Sequence, residues 1–183
     1  MYEVEIKLEL PGGLEPIRDR LAQQGAQDRG TVIQRDTYYD APHRSFPETD
    51  EALRLRRERT AGETTAQLTY KGPLVEAESK TRRELETGVD DGATVADILE
   101  ALGFEPAAEV EKHRDRYVLG EYHITLDDVT DVGTFIEIES SDPVPEAEIE
   151  SVREGARERL RELGLDPTEQ IRTSYLELLL TEE

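Results

Sequence analysis

Charge and apolarity alternate along the first ten residues: Glu3, Glu5, Lys7 and Glu9 share one parity, and Tyr2, Val4, Ile6, Leu8 and Leu10 share the other. A period of two is the signature of a strand with two unlike faces. The pattern recurs further on. Leu53 and Leu55 oppose Arg54 and Arg56, Leu68 and Tyr70 oppose Gln67, Thr69 and Lys71, and Arg82, Glu84 and Glu86 share a parity. Val110 to Val118 stacks Lys112, Arg114 and Arg116 on one side. Tyr122 to Val129 sets His123, Thr125 and Asp127 against Ile124 and Leu126, and Glu137 and Glu139 oppose Ile136 and Ile138. A further strand over Thr31 to Asp40 carries Val32, Ile33, Tyr38 and Tyr39, residues that strands use for packing.

Between and after the strands the period changes to that of a helix. Leu14, Ile17, Arg18 and Leu21 precede Gly25; Val95, Ile98, Leu99 and Leu102 follow an N-cap at Thr94 and stop at Gly103. Ile149, Val152, Ala156 and Leu160 stripe the segment from Glu146 to Leu163, and Tyr175, Leu176, Leu179 and Leu180 stripe a last segment from Thr173 to Leu180. Pro11-Gly12-Gly13, the stretch from Ala41 to Pro47, Gly62, Gly120 and Gly133 read as loops and turns, Lys71 ends a strand before Gly72-Pro73, and Leu74 to Ser79 reads as a flexible acidic connection. Amphipathic helices need an apolar surface. If the apolar strand parities supply it, they face outward and the charged parities face inward, so the sheet closes around a charged interior.

Composition narrows the chemistry. A chain of 183 residues is long enough for one domain, spanning 1–183, with a core that needs no staples, and the absence of cysteine removes disulfides, thiol catalysis and thiolate metal sites. No run approaches the roughly 18 apolar residues of a membrane span, and the chain opens on a strand pattern rather than a basic, apolar leader, so the expected compartment is the cytoplasm. The formal charge of -21 repels nucleic acid and anionic membrane. It also suits solvation in a salt-rich, halophilic cytoplasm, as do four lysines against eighteen arginines. In that setting, where exposed charges are screened over about 3 Å, an enclosed cluster keeps its strength. The surviving lysines, Lys7, Lys71, Lys80 and Lys112, all fall in strands or their approaches.

These strands thus send acids and bases toward one inferred lumen. Arg54 and Arg56 form a fork for phosphate oxygens, although an Arg-x-Arg strand is also what a solvated edge looks like. Clustered carboxylates without cysteine suit hard, oxygen-seeking cations such as Mg2+ or Mn2+. Unpaired buried ions cost several kcal/mol each, so a lumen of this kind is expected to hold compensating ligands of both signs. His43, His113 and His123 fit no triad with a serine or cysteine nucleophile.

Eight motifs in order, Glu3-x-Glu5-x-Lys7, Gln34-x-Asp36-Thr37-Tyr38-Tyr39-Asp40, Ala52-Leu53-Arg54-x-Arg56, Thr69 to Pro73, Ser79-Lys80-Thr81-Arg82-x-Glu84, Lys112-x-Arg114, Leu126 to Val129 and Gly133 to Glu139, resemble the CYTH superfamily of triphosphate tunnel enzymes. That superfamily includes class IV adenylyl cyclases, thiamine triphosphatases and inorganic triphosphatases, and the Thr69 to Pro73 and Ser79 to Glu84 segments look most like the class IV cyclase branch. The resemblance implies an α+β fold, a closed antiparallel eight-stranded β-barrel with α-helices packed outside. It implies metal binding by Glu3, Glu5, Glu137 and Glu139 with Asp127 beside them, and triphosphate binding by Lys7, Arg54, Arg56, Lys71, Arg82, Lys112 and Arg114. Lys7, Asp127 and Arg114 are the candidates for catalysis, Glu84 matches a tunnel acid of unassigned role, and Arg116 has the inward parity.

The function expected on that basis is a Mg2+- or Mn2+-dependent enzyme acting on a small-molecule triphosphate, with no nucleic-acid or membrane partner and with a homodimer left open. A cyclase converting ATP to cyclic AMP and pyrophosphate comes first. A hydrolase of tripolyphosphate, thiamine triphosphate or a nucleoside triphosphate stands beside it, and a noncatalytic polyphosphate or nucleotide sensor is the third reading.

Overall fold

The computed structural model describes residues 2–75 and 80–181. Eight strands, β1 (Glu5–Glu9), β2 (Gln27–Asp40), β3 (Ala52–Arg59), β4 (Thr64–Leu74), β5 (Arg82–Val89), β6 (Glu105–Leu119), β7 (Tyr122–Val129) and β8 (Gly133–Ser140), form one antiparallel sheet in the order β1-β8-β7-β6-β2-β3-β4-β5. Five helices accompany it: α1 (Glu15–Gln23), α2 (Phe46–Thr49), α3 (Gly92–Ala101), α4 (Ile149–Glu162) and α5 (Tyr175–Thr181).

The two parities separate as their chemistry demands. Ile6, Leu8, Ile124, Leu126, Ile136 and Ile138 pack with Ile17 and Leu21 of α1 and with Ala156 and Leu160 of α4. Each is buried, and burying such a side chain stabilises the fold by about 1.5–3 kcal/mol. A one-residue slip would expose all of them and put Lys7 and Glu137 under the helices, so the apolar face holds the register. Gly155 lets α4 lie close to Tyr122, because a β-carbon there would collide with the phenol, and that phenol donates to the Val152 carbonyl at 2.9 Å.

The sheet is curled but its ladder does not close, contrary to the expected closed barrel. β1 and β5 are its edges. They meet at a single bridge between Glu3 and Arg82, with the Lys80 amide donating to the Glu5 carbonyl at 3.1 Å. The reason lies in β1. Its next outward-turned carbonyl, Lys7 O, accepts from the Ile171 amide at 2.8 Å, so the chain after α4 takes the edge that β5 would need.

Other differences are local. Asp91, not Thr94, caps α3: its Oδ1 accepts from both the Ala93 and Thr94 amides at 3.0 Å, and Thr94 lies inside the first turn as one of the capped donors. β4 continues through Gly72-Pro73 to Leu74, with a register shift between Lys71 and Leu74, so Lys71 lies inside a strand. Within the Ala41 to Pro47 loop, Phe46 already begins α2. Of the acidic connection from Leu74 to Ser79, residues 76–79 lie outside the described residues.

The largest departure is α5. Expected on the outer surface, it instead caps the curl of the sheet. Val110, Val129 and Phe135 are apolar residues on the inward parity, and Tyr175 packs among them. Three apolar side chains at one end of a charged lumen need an apolar lid, and α5 brings it. Among the described residues no helix is long and apolar enough to cross a membrane.

Candidate active site

One cavity of about 420 Å³ runs through the curl, and Glu3, Glu5, Lys7, Arg54, Arg56, Lys71, Arg82, Glu84, Lys112, Arg114, Glu137 and Glu139 all line it. Two of the residues considered from sequence lie elsewhere. Asp127 is fully buried behind Arg114, and Arg116 is turned to Glu58 with a 3.1 Å bond.

The basic wall is built from β2, β3 and β6. Register places Asp36 directly opposite Arg56, and the pair closes in a two-point fork, Nε to Oδ1 and Nη2 to Oδ2, each at 2.7 Å. Burial would raise the Asp36 carboxyl, but the Arg56 charge and hydrogen bonds outweigh it and hold the group below the usual carboxylate range. Lys112 Nζ stands 4.0 Å from the same carboxylate. Arg54 reaches Thr69 Oγ1 at 3.2 Å and Glu86 at 3.5 Å, and its Nε has no hydrogen-bond partner among the described residues. Burial, aided by the Arg114 and Arg56 charges, pushes Lys112 down to about 7. Lys7, also enclosed and beside Lys80, is likewise pushed down to about 7.

Arg114 joins the two walls. Its guanidinium spans both oxygens of Asp127, with Nε and Nη2 each at 2.6 Å, and Nη2 also reaches Glu137 Oε2 at 2.6 Å. Tyr175 adds a third donor to Asp127, with its hydroxyl 2.7 Å from Oδ2. Three bonds to one carboxylate hold Arg114 in a fixed plane.

On β1, β5 and β8 the balance is acidic. Lys80 pairs with Glu5 at 2.9 Å and Lys71 with Glu84 at 2.5 Å. Glu139 stands 4.0 Å from His123, and burial followed by the Glu5 charge pushes it up to about 8. Glu3 is pushed up to about 7 by burial and then by Glu84. Glu5 itself stays below its ordinary value, because Lys80, Lys71 and Lys7 outweigh burial and Glu137. Raised carboxyls turned to a common space are what a hard divalent cation would relieve, and their donor set fits Mg2+ or Mn2+. Among the described residues, no three acids are drawn together at ligating distance.

Several participants were not singled out from sequence. Asp36 sits in a quoted motif, and its inward parity with Gln34 was the available signal. Lys80 stands out by the rarity of lysine and Glu5 by its motif, yet nothing in the sequence pairs the two across 75 positions. For Tyr175 there was no signal, since helical spacing does not say what a helix inserts into.

A sequence model of the CYTH domain matches residues 1–175. The chain belongs to the CYTH family. It is 35% identical over 179 residues, 97% of this chain and 98% of the other, to a Methanocaldococcus jannaschii protein named "Putative adenylate cyclase MJ0240". The solved PH1819 protein of Pyrococcus horikoshii OT3 superposes with a TM-score of 0.90 at 38% identity, covering 99% of each chain. A Hippeastrum structure, whose description reports a dominant triphosphatase activity, shares the fold at 17% identity, with a TM-score of 0.69 and coverage of 100% of this chain and 96% of its own. The cavity is therefore the lumen of a CYTH fold, and its charged lining comes from the strands that define that fold.

Proposed function

We propose that this CYTH protein is a metal-dependent enzyme that takes a triphosphate into its lumen and acts as a class IV adenylyl cyclase, forming cyclic AMP and pyrophosphate from ATP. The observation that carries this is the meeting of eleven candidate residues, seven bases and four acids, on one cavity. Lys7, Lys112, Arg54, Lys71 and Arg82 supply donors for phosphate oxygens. Arg56 and Arg114, each tied to a buried carboxylate, present fixed positive charge behind them. Glu3, Glu5, Glu137 and Glu139 would hold Mg2+ or Mn2+, which when bound would polarise the phosphoryl group and offset its charge. In the cyclase reaction the ribose 3′ oxygen bonds to the α-phosphorus as the bond to pyrophosphate breaks, and charge spreads over oxygens that the basic wall faces. Asp127 acts from behind by orienting Arg114.

The cyclase name of the 35%-identical relative supports this reaction over hydrolysis. Hydrolysis of the terminal phosphate remains the second reading, because the same lining would serve an attacking water and the Hippeastrum protein, of the same fold, is described as chiefly a triphosphatase. Purified protein incubated in high salt with ATP or tripolyphosphate, with Mg2+ or Mn2+, separates them. Cyclic AMP with pyrophosphate is the expected product; orthophosphate would establish the hydrolase, and tight binding without turnover would make the protein a sensor.

A further inference from the structure

Tyr175 stands at the start of α5, 6% exposed, with its ring tilted 54° against Phe135 at a centroid distance of 4.9 Å. Charge also lies over the ring. Lys7 Nζ lies 4.1 Å from the ring centroid and Lys112 Nζ 4.9 Å from it. The two lysines come from β1 and β6, which are separated in the sheet by β8 and β7, so no ladder bond sets their spacing. The ring is the surface they share.

How the lining cations are held differs from one to the next. Arg56, Arg114, Lys71 and Lys80 spend donors on carboxylates. Lys7 Nζ, 1% exposed as a residue, has no hydrogen-bond acceptor among the described residues. An aromatic face attracts an ammonium without taking up an N–H bond, so it can hold a cation in place and leave its donors for an arriving anion. A carboxylate cannot do this, because it competes with phosphate for the same protons.

We infer that Tyr175 is a positioning residue whose ring seats the Lys7 and Lys112 ammoniums with their donors unspent, while its hydroxyl, fastened to Asp127, fixes the ring, so that docking of α5 completes the phosphate-binding surface. This rests on the reading of the lumen as a triphosphate site. It also gives α5 a part in binding beyond that of an apolar lid.

Phe and Leu substitutions divide the two contacts while both keep the lid apolar. The full chain and its Tyr175→Phe and Tyr175→Leu variants would be titrated calorimetrically with tripolyphosphate, without metal and at fixed high salt, with thermal melting run alongside. Tyr175→Leu should bind at least about tenfold more weakly than the parent, whereas Tyr175→Phe, which keeps the ring, should stay within about threefold. Equal affinity of the parent and the Leu variant would leave Tyr175 as packing and overturn the inference, and so would a Phe variant as weak as the Leu variant. If Tyr175→Leu melts too low to titrate, Tyr175→Met, of similar bulk and without a ring, takes its place under the same criteria. Failure of the parent itself to bind tripolyphosphate or ATP would instead remove the triphosphate reading, and the inference with it.

Discussion

The two walls of the lumen solve the burial of charge in opposite ways. On β3 and β6, Arg56 and Arg114 are each matched by a buried acid, Arg56 by Asp36 and Arg114 by Asp127. On β1 and β8, Glu3 and Glu139 crowd one another and Glu5, and two of the three are pushed toward neutrality. The basic side is therefore assembled before any ligand arrives, whereas the acidic side is left incomplete. On the proposed reading, a cation brought by or with the substrate would finish it, and metal and triphosphate would then be mutually dependent ligands.

The sharpest way to break this comparison is to unpair the basic wall. Arg56→Ala leaves Asp36, 1% exposed, without its fork, and should cost about 3–5 kcal/mol of stability by denaturant unfolding. A loss below about 1 kcal/mol would mean that the wall is not held by its pairs. On the acidic wall the effect should fall on chemistry instead. Glu139→Gln should lower metal-dependent turnover at least about a hundredfold with little change in melting, since it would remove a proposed ligand and relieve like-charge crowding. Unchanged turnover at every metal concentration would dismiss Glu139 as a ligand.

The alternation at Ile6 and Lys7, and at Ile138 and Glu137, let the inside and outside of the sheet be read from sequence alone, because a period of two leaves only two choices and the helices need the apolar one. The partners were beyond that reach. Parity tells that Asp36 and Arg56 both face inward, but only the β2–β3 register puts them opposite each other. The open seam was illegible for a like reason: it depends on Ile171 reaching Lys7, which no pattern within either segment announces. Tyr175 looked like one more apolar position of an amphipathic helix, and its inward role follows from the apolar end of the lumen rather than from its own neighbours.

Proton uptake sharpens the contrast at smaller scale. Burial, followed by the Arg114 and Arg56 charges, pushes Lys112 down to about 7, below its ordinary range. Its charge, and the attraction it offers an anion, is present below that pH and lost above it. Metal-free tripolyphosphate affinity should thus fall on the order of tenfold from pH 6 to pH 8, the worth of one charge-assisted contact. A flat profile by calorimetry would place Lys112 outside the contact. Smallest of all should be the change from Arg161→Ala on α4, an exposed base whose pairing with Glu154 at 2.9 Å is far from the lumen lining. Less than a twofold shift in affinity is expected, together with a salt dependence in which added salt spares binding by screening the net charge. A loss as large as that from Arg54→Ala would mean that the anion binds outside the curl.

The pairing of β1 with β8 carries a consequence for how the protein is made. Lys7 lies opposite Glu137, so the strand synthesised first has no ladder partner until 130 further residues have followed. The β6–β7–β8 hairpins can zip locally as they appear, but the strand with Glu5 and Lys7 must wait and pay the closure entropy of that long loop. Such non-local pairing places folding among the slower domains, on the order of milliseconds to seconds. The two halves of the acidic wall are strangers until that loop closes, so the crowding of their carboxylates arises only with its closure.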